Sequence, residues 1–244
     1  MKIFSLVLLQ ISFAAAVFAQ QTDEWNAMLR DPQYSSPAFH STNTIDRYSS
    51  HDLSTLLTPR SQFLGYIGDD YQRLKIYFSS VSKSSTDPRT YNVEGISVVK
   101  SNKMAFRGSI TLNRFIEYKE LRFGVDDQYR DHGIRAQGVA FAKYRFEEDR
   151  AASHSGIFEG SMVFAWYLDV DGIMQYDDIE WHSDSFRNNQ YRGTWTPYGS
   201  SKSKVANWGE YRIPDSGDLD GGAGEFSPNP KYLGRGWRDM AWYQ

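Results

Sequence analysis

From Gln62 onward the chain alternates short runs rich in aromatic and β-branched residues with polar turns, the pattern of an antiparallel β protein. Strands are predicted over 62–68, 72–81, 91–99, 103–113, 138–147, 158–168, 173–181, 190–198 and 204–213. A weak repeat runs through them. Phe106-Arg107-Gly108-Ser109-Ile110, Phe158-Glu159-Gly160-Ser161-Met162 and Tyr191-Arg192-Gly193-Thr194-Trp195 share the form aromatic-x-Gly-Ser/Thr-apolar, and Phe63-Leu64-Gly65 begins in the same way. Each full copy follows another strand-like run (Tyr91–Val99, Gly138–Glu147 and Ile173–Trp181) across a polar loop, so the repeating unit is a β-hairpin. Glycine weakens a strand unless backbone must come close there, and a glycine recurring on one face suggests strong sheet curvature.

The expected fold is therefore all-β, an antiparallel meander of about eight to ten strands closing into a barrel, which removes the exposed edges of an open sheet. A two-sheet β-sandwich is the alternative. One hairpin can be registered on Asp171-Gly172, a strong two-residue turn signal. That turn pairs Val170 with Ile173 and Trp166 with Asp177. Alternation then puts Phe158, Met162, Phe164, Trp166 and Leu168 on one face with Ile173, Gln175, Asp177, Ile179 and Trp181. Glu159, Ser161, Val163, Asp178, Glu180, His182 and Asp184 fall on the other.

The flanking segments read differently. Residues 1–19 carry Lys2, an apolar run from Ile3 to Phe18 and a Val17-Phe18-Ala19 exit, the layout of a cleavable secretory signal peptide. Residues 20–60 are polar and Ser/Thr-rich, a lead-in with two short expected helices, Asp23–Arg30 behind Thr22 and His51–Leu57 behind Ser50, the second ended by Pro59. The single barrel domain is expected over 61–244. Its last part, 214–244, is rich in Gly, Asp and Pro and then carries Trp237 and Trp242, and it reads as a strap packed on the barrel.

Composition narrows the function classes. With no cysteine, disulfides, thiolate metal sites and a cysteine nucleophile are excluded. The absence of cysteine and of Asn-x-Ser/Thr sequons leans towards an exported bacterial protein, periplasmic or secreted. Removal of residues 1–19 takes away Lys2 and moves the net charge from −3 to −4, and no Lys/Arg block exists to hold a phosphate backbone. Nucleic acid is thus not an expected partner, and no later stretch is apolar enough to span a membrane as a helix. The five histidines, His40, His51, His132, His154 and His182, lack His-x₃-His spacing. Asp169-Val170-Asp171-Gly172 and Asp218-Leu219-Asp220-Gly221 resemble fragments of calcium loops but do not continue with the full spacing and closing Glu. No metal or cofactor is expected. There is no Gly-x-Ser-x-Gly elbow, phosphate loop, dinucleotide fingerprint or His-Glu-x-x-His.

The meander of aromatic-x-Gly strands over 62–213 resembles the calycin superfamily, the lipocalin-like and avidin-like barrels. Gly193-Thr194-Trp195 has the Gly-x-Trp form of the lipocalin motif but lies near the end of the barrel rather than at its first strand. The resemblance implies a lumen that binds a small ligand.

The chemistry read from the residues leaves alternatives open. Trp166, Trp181, Trp195, Phe158, Phe164 and Tyr191 gather on the expected inner face, where they either line a cavity suited to a sugar ring or flat apolar ligand or simply fill the barrel. Gln175 and Asp177 fall on the same face, as polar anchors for a ligand or as strand-end groups reaching water; a buried carboxylate there must be hydrogen-bonded, paired or neutralised. On the other face Glu159, Asp178, Glu180, His182 and Asp184 form an acidic cluster, with Arg107, Lys143, Arg145 and Arg192 on the same side to neutralise it. Three functions follow: non-enzymatic binding of a small amphipathic molecule or glycan fragment; an interaction module with a packed barrel whose loops 149–155 and 183–189 meet a protein; or an enzyme on a glycan or small metabolite using Asp177, Glu180 or Glu159 as acid or base.

Overall fold

The computed structural model describes residue 40 and residues 42–243. The expected signal peptide and the helix over Asp23–Arg30 lie outside the described residues. Among the described residues nine strands follow two short α-helices, α1 (Ile45–Tyr48) and α2 (Ser54–Leu57). They are β1 (Leu64–Ile67), β2 (Gln72–Lys83), β3 (Thr90–Val99), β4 (Asn102–Glu117), β5 (Ala136–Glu148), β6 (Gly156–Leu168), β7 (Met174–Tyr176), β8 (Asn188–Pro197) and β9 (Lys204–Glu210).

The order around the sheet is β5-β4-β3-β2-β1-β9-β8-β6, and β5 pairs with β6 to close the ring. This is a closed antiparallel barrel of eight strands, consistent with a calycin-like barrel, and closure excludes the sandwich. The short β7 lies outside the ring order, beside β6 at Trp166–Leu168, beyond the stretch of β6 that β8 occupies.

The recurrent glycines sit where strands approach most closely. Gly160 of β6 faces Gly193 of β8 directly. A Cβ on Gly160 would lie 2.1 Å from the Arg192 carbonyl oxygen, and one on Gly193 would lie 2.2 Å from that of Glu159. Both contacts are with backbone, which cannot swing aside. The repeat therefore marks the places where the wall bends sharply inward.

Between the glycines the inward positions carry large rings. Tyr91, Phe106, Tyr144, Phe146, Phe158, Tyr191 and Trp208 belong to one buried core. Tyr191 stacks on Trp208 with ring centroids 4.9 Å apart, and Phe106 stacks on Phe146 at 5.0 Å. The middle of the barrel is filled by side chains.

One end is closed by the chain that precedes β1. The sequence sets residues 20–60 apart as a polar lead-in, yet Ile45, Tyr48, Leu53, Leu56 and Leu57 are buried in the same core as the barrel aromatics. The apolar residues of α1 and α2 are too few to show helical periodicity, so a polar composition hides a plug. The Lys83 ammonium, at the end of β2, donates to the carbonyls of Ser49, Ser50 and His51 and holds the turn between the helices. Thr58 is extended, as a residue before proline must be, and the chain turns into β1.

The strap is built on a second apolar cluster outside the wall. Leu64 and Tyr66, the outward residues of β1, pack with Ile213, Leu219, Phe226 and Trp237. The Trp237 indole donates to the Tyr71 carbonyl at 2.9 Å, and the Arg73 guanidinium lies 5.2 Å from the Trp237 ring.

One expected register is corrected. Trp166 pairs with Tyr176, and Leu168 with Met174, not Trp166 with Asp177. The cause is the turn. Gly172 N–H donates to the Asp169 carbonyl, Gly172 alone adopts positive φ, and the Asp169 carboxylate accepts the N–H groups of Asp171 and Ile173. Such a three-residue loop with a left-handed glycine shifts the partner strand by one position, and a one-residue slip exchanges the faces. Met174 and Tyr176 therefore point inward, and Gln175 points outward. Beyond Tyr176 the expected strand 173–181 stops, because β8 takes over the edge of β6.

Candidate functional site

The end opposite the plug carries the four hairpin loops 68–71, 100–101, 149–155 and 198–203. Inside their rim lies an open cup of about 460 Å³. Ile67, Val99, Phe158 and Trp195 supply its apolar surface, and Lys100, Asn102, His154 and Lys204 stand around the mouth. Among the described residues no helix covers the last inward side chains of the strands at this end, as α1 and α2 do at the plugged end.

In its wall is Glu148, the last residue of β5, only 5% exposed. Tyr144 and Phe146 point inward, and alternation turns the Glu148 carboxylate inward too. It is held by three donors. Ser97 Oγ–H donates to one oxygen; the Gly156 N–H at 2.8 Å and the Trp195 indole N–H at 3.0 Å donate to the other. None of these donors is a cation, so the charge is stabilised by oriented dipoles alone. The indole is thereby fixed with one side in the cup, and the Lys204 ammonium stands 6.0 Å from its ring. Tyr198 O–H donates to the Glu148 carbonyl at 2.9 Å, which draws the 198–203 loop over this corner. At the rim, Asp70 pairs with Arg235 of the strap at 3.0 Å.

Of the aromatics expected to line the lumen, Trp195 and Phe158 reach the cup. Trp166 is fully buried against Tyr48 of the plug, with centroids 4.5 Å apart, and Tyr191 lies in the packed middle. Trp181 stands on the surface, 53% exposed, against the ring of His182. Gln175 lies outside the wall and donates to the Asp169 carboxylate at 2.9 Å.

Asp177 also sits outside the wall, where Gln137 Nε2 donates to it at 2.8 Å and the Ile179 N–H at 3.1 Å. Burial dominates these hydrogen bonds and pushes its carboxyl up to about 6. Glu159 lies on the outer face at the cup end, paired with Arg145. Asp177 N–H bonds the Ala165 carbonyl, six residues further along β6, so the two carboxylates are about 20 Å apart along the strand. Glu180 lies near Asp177 and Asp178 rather than near Glu159. These groups do not converge on one point.

Glu148 and its neighbours Ser97, Lys100 and Lys204 were missed in the sequence. The signal was present for Glu148 alone: the inward run Tyr144, Phe146 continues in step to a glutamate. The Asp169 and Asp220 loops are held by their own chain, Asp220 accepting from the N–H groups of Gly222 and Ser227 and pairing with Arg212 at 2.6 Å. Among the described residues no group of three or more His, Cys, Asp or Glu is placed to hold a metal ion, and no helix is long and apolar enough to cross a membrane. Compared with known proteins, the chain matches no family model, no curated protein and no solved structure.

Proposed function

We propose that this protein is a non-enzymatic binding barrel that holds a small amphipathic molecule or glycan fragment in the cup at its open end. The observation that carries this reading is the pairing of a half-buried indole, Trp195, with a buried, hydrogen-bonded carboxylate, Glu148, in one concave space. Flat apolar surface beside a few fixed polar groups is the usual make-up of a small-molecule site. The packed middle restricts the ligand to the mouth. Thermal unfolding against a panel of oligosaccharides, lipids and small metabolites tests the idea, since a ligand of the native state raises apparent stability by mass action. A hit should lose its effect in Trp195→Ala. A hit unaffected by that change places the ligand elsewhere.

The aromatic filling of the barrel favours a second reading, a structural or interaction module that uses its loops. Silence across the panel, with a protein bound at 149–155 or 183–189, would establish it. The export reading rests on residues 1–19, and the N-terminal residue of the protein recovered from the cell envelope or medium tests it.

A further inference from the structure

We infer that the cup takes an organic anion of the carboxylic acid class, its charge held at the mouth by Lys100 and Lys204 and a hydroxyl or N–H at its far end directed to Glu148. The inference rests on the binding reading above and adds the polarity of the ligand. It follows from how the charges are disposed across the cup. Glu148, buried in the wall of the cup, is already bonded by Ser97, Gly156 and Trp195, but one of its oxygens accepts only Ser97 and keeps room for a second donor. A ligand carboxylate cannot lie next to it, because two carboxylates in a partly enclosed site repel.

The mouth has the opposite character. Asp70, its acidic residue, is engaged by Arg235. Lys100 and Lys204 are exposed, both line the cup, and among the described residues neither ammonium forms an ion pair. Phe158, which pairs with Phe146 two residues deeper than Glu148 on β5, and Trp195, bonded to Glu148, accept a flat or aliphatic body. A molecule that satisfies all of these carries a donor for the buried Glu148, an apolar body against Phe158 and Trp195, and an anion toward the exposed lysines.

Isothermal titration of the full chain with three probes of one shape decides the matter: 6-hydroxy-2-naphthoate, 2-naphthoate and 2-naphthol. The hydroxy acid is expected to bind most tightly, the other two about tenfold more weakly. Lys100→Gln with Lys204→Gln should weaken the hydroxy acid about tenfold and leave 2-naphthol unchanged, which also shows that the variant is folded. If 2-naphthol binds as well as the acid, or if the lysine changes have no effect on the acid, the inference falls while the cup remains a binding site. If none of the three binds, or if Trp195→Ala leaves their binding unaltered, the reading of the cup falls with it.

Discussion

Glu210 in β9 accepts the backbone N–H of Ser61 at 2.7 Å, and through it the end of the barrel is tied to the segment that plugs it. The same oxygen accepts the Arg60 N–H at 2.6 Å, while the other accepts the Tyr176 hydroxyl at 3.0 Å and the Asn189 amide at 2.7 Å. With the Ser61 hydroxyl at 3.4 Å, five donors converge on a fully buried carboxylate, and burial raises its pKa despite them.

Glu210→Gln should therefore destabilise the protein although it removes a buried charge. A glutamine has one acceptor oxygen, so its amide N–H₂ must face either the Arg60 and Ser61 N–H groups or the Tyr176 and Asn189 donors. Leaving such buried donors unpaired costs about 2 kcal/mol in total. Denaturant unfolding should show that loss, with amide exchange rising first around Arg60 and Ser61. A variant as stable as the parent would mean that the plug is held by apolar contacts alone.

Asp177 makes the opposite prediction. Its carboxyl titrates near 3.8 in the unfolded chain and near 6 in the folded one. Between those values the folded state binds more protons than the unfolded state, so this group makes stability fall as pH rises from about 4 to about 6. The loss is complete above 6 and amounts to about 3 kcal/mol. Asp177→Asn removes the ionisation and keeps one acceptor oxygen, for the Ile179 N–H or the Gln137 amide but not both, a loss that does not vary with pH. Unfolding at pH 4 and pH 7 should show the variant gaining on the parent as pH rises. Equal pH dependence in the two proteins would show that the Asp177 site is open to water.

These two carboxylates also show what the sequence conveys and what it hides. Hairpins, barrel closure and curvature are legible because they depend on period-two alternation and on glycines such as Gly160 and Gly193, all local features. The faces of β6 are legible for the same reason. The face of Gln175 is not, because it depends on whether Asp171-Gly172 forms a two-residue or a three-residue loop, and the Asp169 side chain decides that. Trp195 reaches the cup since it keeps step with Tyr191 and Gly193 along β8. The plug, the tie at Glu210 and the position of Trp181 depend on contacts between residues some thirty to a hundred and fifty positions apart or on where β8 displaces β7, and no local pattern encodes them.

The glycine pair allows a sharper test of curvature. In Gly160→Ala the new methyl meets the Arg192 carbonyl, and the two strands must separate; overpacking of this kind costs about 3 kcal/mol. Gly199 also needs glycine, but for its φ of +76° in a loop where nothing lies within 4 Å of a Cβ. Gly199→Ala should cost only about 1 kcal/mol, the strain of a left-handed alanine. Chemical denaturation of the two variants reads the difference directly. Equal losses would mean that the wall at Gly160 relaxes without breaking its ladder.

Lys83 bears on the plug from the other side. Its ammonium is the shared donor for three successive carbonyls, Ser49 at 2.8 Å, Ser50 at 3.0 Å and His51 at 2.6 Å, at the turn between α1 and α2. Tyr91 O–H also donates to the His51 carbonyl, so one of the three retains a partner when the lysine is lost. Lys83→Met keeps an unbranched apolar stem and removes the terminal ammonium with its hydrogen bonds, a loss of about 1 kcal/mol for a partly exposed site. Because the bonds are confined to the plug, the change should appear there. Amide exchange over 45–57 is expected to accelerate about fivefold while the β5–β6 ladder keeps its protection. Uniform acceleration across the barrel would instead mean that plug and barrel open as one unit, with the core around Tyr48 and Trp166 lost whenever the plug leaves.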